Sequence, residues 1–291
     1  MTNRRAPFDV VVVGSANLDL VTTVAKLPRP GETIRAESYR ELPGGKGLNQ
    51  AVACARMGAR TAFVGCVGED AAGVSLRAVL QAEGVDISGL MVRSEPTGRA
   101  MITVDHHGEN SIVVVAGANS RLDPAVAEHL APARLVLMQL EVPMATVAAV
   151  AAAAKRAGAT VVLNPAPAAT LPATLLAMVD VLTPNASEAA MIGTPAQLHA
   201  AGVRAVITTL GAEGAELSEH GTLSRIAPHQ VSAVDTVGAG DAFTGALCAE
   251  LSRGRSLREA LATAVVAGAL ATTVRGAVAS LPTRATVLAV R

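Results

Sequence analysis

Short apolar runs recur along the chain, at residues 10–13, 61–66, 135–138, 160–163, 181–182 and 205–208. None alternates apolar with polar positions, so each predicts a strand buried on both faces. Ala- and Leu-rich stretches lie between most of them, at 48–57, 72–83, 145–157 and 188–192, and read as helices. Two more helices follow near the end, over 242–251 and 257–274. Strands alternating with helices predict an α/β fold, a mainly parallel sheet with helices on both faces in a three-layer αβα arrangement. Ligands of such sheets bind beyond the carboxyl ends of the strands.

Two stretches break this pattern. Residues 32–41 mix polarities without a helical stripe, and residues 99–105 and 110–115 read as a hairpin closed by His106-His107-Gly108-Glu109. Together they predict a small β appendage, a lid or a dimerisation surface, with both histidines in a solvated tip.

Composition narrows the partners. The 24 basic residues balance 24 acidic ones without a like-charge run, which excludes a phosphate-tracking nucleic-acid surface. One Tyr, three Phe and no Trp leave almost no platform for stacking bases. Cys54, Cys66 and Cys248 are odd in number and lack metal-ligand spacing, so they predict neither a disulfide framework nor a zinc site but a reducing, cytoplasmic setting. The longest apolar run, 142–154, contains Pro143 and Thr146 and suits a buried helix rather than a membrane span. Arg4 and Arg5 precede only a four-valine run, too short for a secretory signal.

The polar clusters at strand ends carry the chemistry. The chain is organised around residues 235–243, DTVGAGDAF, where Gly238, Ala239 and Gly240 precede Asp241 and a helix. The first amides of a helix have no partner inside it and lie at the positive end of its dipole, so the turn suits developing negative charge. A carboxylate there suits proton removal from an alcohol during phosphoryl transfer. That reading needs Asp241 to face the glycine turn and a cleft rather than lie buried; the alternative is an Asp capping an ordinary loop. Asn17 and Asp19, after the first strand, suit adjacent sugar hydroxyls or an Asx turn. In 43–50, PGGKGLNQ, Lys46 and Asn49 share a helical face, and the alternative is a plain helix start. Glu141 ends a strand at the ligand edge, whereas the prolines after Asn164 predict a structural loop. Asn185 and Glu188 have a spacing that suits the water shell of Mg²⁺ or a capping box. Residues 208–214, TTLGAEG, suit nucleotide phosphates or a hairpin.

Taken in order, these motifs resemble the ribokinase-like PfkB carbohydrate kinase family over about residues 10–282, most specifically at 235–243 and 44–51. The resemblance implies ATP-dependent phosphorylation of the primary hydroxyl of a small sugar. D-Ribose is the expected acceptor, with deoxyribose, fructose or adenosine, or a non-catalytic sugar-binding regulator, as alternatives. It implies Asp241 as general base with the amides of Gly238, Ala239 and Gly240 as anion hole. Asn17, Asp19, Gly45, Lys46, Asn49, Glu141 and Asp241 match sugar positions; Asn185, Thr209, Gly211, Gly214 and Gly240 match ATP positions. Glu188 would bind Mg²⁺ through water, and Asp235, Val237, Ala271, Val274, Gly276 and Ser280 would form a K⁺ site. One domain, 1–291, with a lid over about 18–43 and 98–116 that pairs two subunits, completes the expectation. Residues 193–202 are shorter than usual for the family, and the scarcity of aromatics implies an aliphatic adenine slot.

Overall fold

The structure, a computed structural model, describes residues 6–291; Arg4 and Arg5 lie outside the described residues. Strand β1 (Phe8–Val13) opens a large sheet. The chain leaves it through β2 (Asn17–Thr23) and β3 (Ser38–Gly44), then returns by helix α1 (Lys46–Arg56) to β4 (Thr61–Gly68). Helix α2 (Ala71–Ala82) leads to β5 (Asp86–Arg93), and β6 (Gly98–Val104) and β7 (Asn110–Val115) join β2 and β3. Next come β8 (Ala133–Met138), α3 (Met144–Arg156), β9 (Thr160–Leu163), α4 (Ala173–Leu176) and β10 (Val181–Leu182). Helices α5 (Ala186–Ile192) and α6 (Pro195–Ala200) precede β11 (Ala205–Thr209), β12 (Ala215–Glu219) and β13 (Thr222–Ile226). The last elements are α7 (Ala239–Ser252), α8 (Leu257–Ala271), α9 (Ala277–Ser280) and α10 (Arg284–Ala289).

The nine-stranded sheet runs β13-β12-β11-β10-β9-β8-β1-β4-β5 and is parallel except at its β11–β12–β13 edge. Both faces are covered. Val10 and Val12 pack toward α1, α7 and α8, while Val11 and Val13 pack toward α3, which explains the unbroken apolar run of β1. Successive strands are laid outward from β1 on both sides, toward β5 and toward β11. The loops after β1 and β8 therefore diverge and open a crevice, the place where an open α/β sheet binds its ligand.

The small sheet has order β3-β2-β6-β7, with β2 and β6 parallel and the outer pairs antiparallel. The hairpin is where the pattern predicts it. Asn17 and Asp19, however, lie in a strand and not in an Asx turn, because β2 is hydrogen-bonded on both sides by partners remote in sequence. Of the 32–41 stretch only its end, from Ser38, is strand; Glu32 instead holds Lys26 and the Arg29 amide in a loop. The last long helix stops at Ala271 rather than 274, since the Thr272 and Thr273 hydroxyls turn back onto the Ala269 and Leu270 carbonyls. Strands β5 and β13 escape the pattern because they are partly exposed, and β12, though mostly buried, because Glu216, Ser218 and Glu219 break its apolar run.

Helices α1 and α7 approach closely where Gly245 meets Ala53: an added Cβ would overlap the Ala53 methyl and stand 3.0 Å from the Cys54 nitrogen. Alanine normally gains up to about 1 kcal/mol over glycine inside a helix, but overpacking a rigid core costs about 1–3 kcal/mol. Gly245→Ala is therefore expected to destabilise the protein by about 1–2 kcal/mol in urea unfolding; a gain in stability would show that the two helices can part freely.

Candidate active site

At the mouth of the crevice, α7 begins after Gly238, whose φ of 80° is left-handed and whose added Cβ would stand 3.0 Å from Ala277 Cα. Only glycine suits that position. Ala239 N–H reaches back to the Thr236 carbonyl at 3.2 Å, while the amides of Gly238, Gly240 and Asp241 have no acceptor among the described residues. Of the expected anion-hole amides, those of Gly238 and Gly240 are open, and Asp241 adds a third.

Asp241 is only 8% exposed, against the expectation of an unburied acid. Helix α1 covers it: Gln50 Nε2 donates to Oδ1 at 2.8 Å and Asn49 Nδ2 donates to Oδ2 at 2.9 Å. The carboxylate nevertheless stands on the wall of a cavity of about 220 Å³, beside Lys46, Gly238 and Gly240. Burial raises its pKa, opposed by the Lys46 charge and the two amides, while the Glu141 charge adds to the rise.

The other expected sugar-side residues come from three places: β2, the start of α1 and the loop after β8. Glu141, just past β8, accepts hydrogen bonds from the Ser15 hydroxyl and from the Lys46 amide, the latter at 3.0 Å, and so docks the start of α1, with Gly45 as its N-cap. Asn17 is nearly buried and its Oδ1 accepts from Asn119 Nδ2 at 2.7 Å. Asp19 carries a pKa raised to about 7 by burial and by the charges of Glu141 and Asp241.

A larger cavity of about 510 Å³ adjoins the first, and Asn185, Thr209, Thr236 and Gly240 line both. Gly211 and Gly214 line it as well, in the turn that joins antiparallel β11 and β12, so the turn is a hairpin that also forms part of a cavity wall. Its wall is aliphatic at Val231 and Val265 but includes Phe243, which corrects the expectation of a wholly aliphatic slot. Asn185 and Glu188 form a capping box: Asn185 N–H donates to Glu188 Oε2 and Glu188 N–H to Asn185 Oδ1, both at 2.8 Å. Glu188 also lines the smaller cavity. Its second oxygen has no hydrogen-bond partner among the described residues, and no cluster of three or more acidic, His or Cys ligands exists among them. A metal here would be held through water and phosphate.

The expected monovalent-cation residues divide. Asp235 accepts from Val237 N–H at 3.0 Å and from Gly276 N–H at 2.9 Å, tying the glycine turn to the last segment. Ala271 ends α8 with Val274 three residues beyond, and the Ser280 hydroxyl is spent on the Ala277 carbonyl. Residues 193–202 fold as a short turn and α6, clear of both cavities.

Sequence reasoning missed Ser15, Gln50 and Asn119, and assigned Asn164 to a structural loop. Asn164 instead accepts from Gln50 at 3.0 Å and donates to the Thr183 carbonyl at 2.7 Å. A polar residue directly after the buried run 160–163 was the available signal.

Fold and crevice meet in a known class of protein. A model of the pfkB family of carbohydrate kinases matches residues 8–284, and the chain belongs to that family. It is thus a phosphotransferase acting on a sugar hydroxyl. A Haemophilus influenzae ribokinase is 39% identical over 94% of this chain and 95% of its own. The Thermotoga maritima ribokinase structure superposes with a TM-score of 0.90 at 35% identity, covering 96% of this chain and 98% of the other. Arabidopsis thaliana ribokinase complexed with ribose and ATP gives 0.88 at 36% identity over 98% of each.

Asp19 yields a pH test. Its folded carboxyl keeps a proton up to about pH 7, whereas the unfolded one releases it near 3.8. The native state binds the extra proton between those values, so stability falls as pH rises through that window. Asp19→Asn is expected to flatten the fall and to be about 1–3 kcal/mol more stable than wild type at about pH 8; parallel urea curves for both proteins across the window would refute the assignment.

Proposed function

We propose that this protein is an ATP-dependent ribokinase, transferring the γ-phosphoryl group of ATP to the primary hydroxyl of D-ribose to give ribose 5-phosphate. The observation that carries the reading is the position of Asp241, on a cavity wall beside open helix amides, where the two cavities share Gly240. ATP occupies the larger cavity, with its phosphates directed to the amides of Gly238, Gly240 and Asp241. Ribose lies against Asn17, Asp19, Gly45, Lys46, Asn49 and Glu141. Asp241 takes the hydroxyl proton as the sugar oxygen attacks the γ-phosphorus, the bond to the bridging oxygen breaks, and ADP leaves. Mg²⁺, when bound, offsets the phosphate charge, with Glu188 holding its water shell. A monovalent cation, K⁺, would sit among carbonyls near Asp235 and Gly276, where the Asp235 carboxylate already joins the two segments.

The small sheet acts as the lid of a single domain and pairs two copies of the chain. Its β7 strand leaves Ile112, Val113, Val114 and Val115 about half exposed, an apolar run that a second copy would cover. Three free, buried cysteines suit a cytoplasmic location.

Asp241→Asn is expected to lower kcat by about 10²-fold or more, read by coupled ADP release. Ribose should outrun deoxyribose, fructose and adenosine in wild type, with a further gain when K⁺ replaces a bulky organic cation. Retention of near wild-type turnover by the Asn variant would remove the base, and a different preferred acceptor would remove ribose. Val113→Glu is expected to convert a dimer into a folded monomer in sedimentation; an unchanged assembly would move the interface elsewhere.

A further inference from the structure

Behind the Asp241 carboxylate runs a line of buried amides that the reaction scheme above leaves without a role. Gln139, just past β8, donates from Nε2 to Gln50 Oε1 at 2.6 Å. Gln50 Nε2 donates to both Asp241 Oδ1 and Asn164 Oδ1, at 2.8 and 3.0 Å, so both of its protons are used. Gln50 and Gln139 are completely buried. Were the Gln50 amide to rotate by half a turn, its oxygen would face two acceptor oxygens, the Asp241 carboxylate among them. Its orientation is thus set from both ends. On the other side of the carboxylate, Asn49 Nδ2 holds Oδ2, while the buried Asn49 Oδ1 has no partner among the described residues.

We propose that Gln50, kept in register by Gln139, is the positioning residue of the catalytic carboxylate: it fixes Oδ1 toward the interior and leaves Oδ2, beside Asn49, to receive the sugar proton. The proposal rests on the reading of Asp241 as the base. No proton moves along the amides; they act only as donors. The charged groups facing Asp241 are Lys46 from α1 and Glu141 from the loop after β8, with Asp19 from β2 near it and Glu188 of α5 on the same cavity wall. Lys46 favours the ionised acid and the carboxylates oppose it, whereas the two amides favour it at every pH. Removing the Gln50 donor therefore raises the pH at which Asp241 becomes a competent base.

The test is kcat and KM for ribose from about pH 5 to about pH 9 in wild type, Gln50→Met, Gln139→Leu and Asp241→Asn. Methionine keeps the volume of Gln50 and donates nothing. The acid limb of kcat should move up by about one pH unit or more in Gln50→Met, with kcat recovering at high pH and ribose KM little changed. Gln139→Leu should move the limb in the same direction by less. If Asp241→Asn abolishes turnover while neither glutamine variant moves the limb, or if each loses activity equally at all pH values, the positioning role is refuted and the base stands. If Asp241→Asn retains turnover, the base reading fails and this proposal falls with it. Should Gln50→Met not fold, the limb in Gln139→Leu decides: moved, it supports the positioning role; unmoved, it overturns it.

Discussion

On the reading of Asp241 as the base, a carboxylate that must stay ionised with little water around it sets the terms for the rest of the molecule. Burial alone drives Asp241 toward its neutral form, and a neutral acid cannot accept a proton. The fold answers with donors of two kinds: the ammonium of Lys46 and the side-chain amides of Asn49 and Gln50. Each exists because a backbone element ends or begins at this one place.

That convergence explains the close packing of α1 on α7. Asn49 and Gln50 reach Asp241 only if the two helices nearly touch, and Gly245 permits that approach. Glu141 holds the first turn of α1 from the end of β8, so the crevice between the diverging loops of the parallel sheet and the helix that furnishes the amides are one mechanical unit. The same acids repel one another: Asp19 holds its proton to about pH 7 because Glu141 and Asp241 stand near it in a poorly hydrated pocket. On the proposed reading, this repulsion lies where the hydroxyl groups of a bound sugar would offset it.

The layered sheet was legible in the sequence because strands buried on both faces are continuous apolar runs, and Val10 to Val13 serve both cores. The ligand-facing motifs were legible because they interrupt those runs at the carboxyl ends of strands. Strand β2 was not, since its polar start pairs with β3 and β6 rather than with anything local. Gln50 and Asn119 were hidden for the same reason: their partners lie 191 and 102 residues away in the chain. Glu188 could not be resolved from its spacing alone, because a capping box and a cavity wall use the same two residues, and the structure has both.

The most direct test of the account is a crystal structure with ribose and a non-hydrolysable ATP analogue bound together. The primary hydroxyl of the sugar is expected within hydrogen-bond reach of an Asp241 oxygen, about 2.6–3.2 Å, and in line with the terminal phosphorus over the Gly240 amide. A sugar hydroxyl held elsewhere, with Asp241 enclosed by Asn49 and Gln50 and out of reach of any reacting atom, would contradict it.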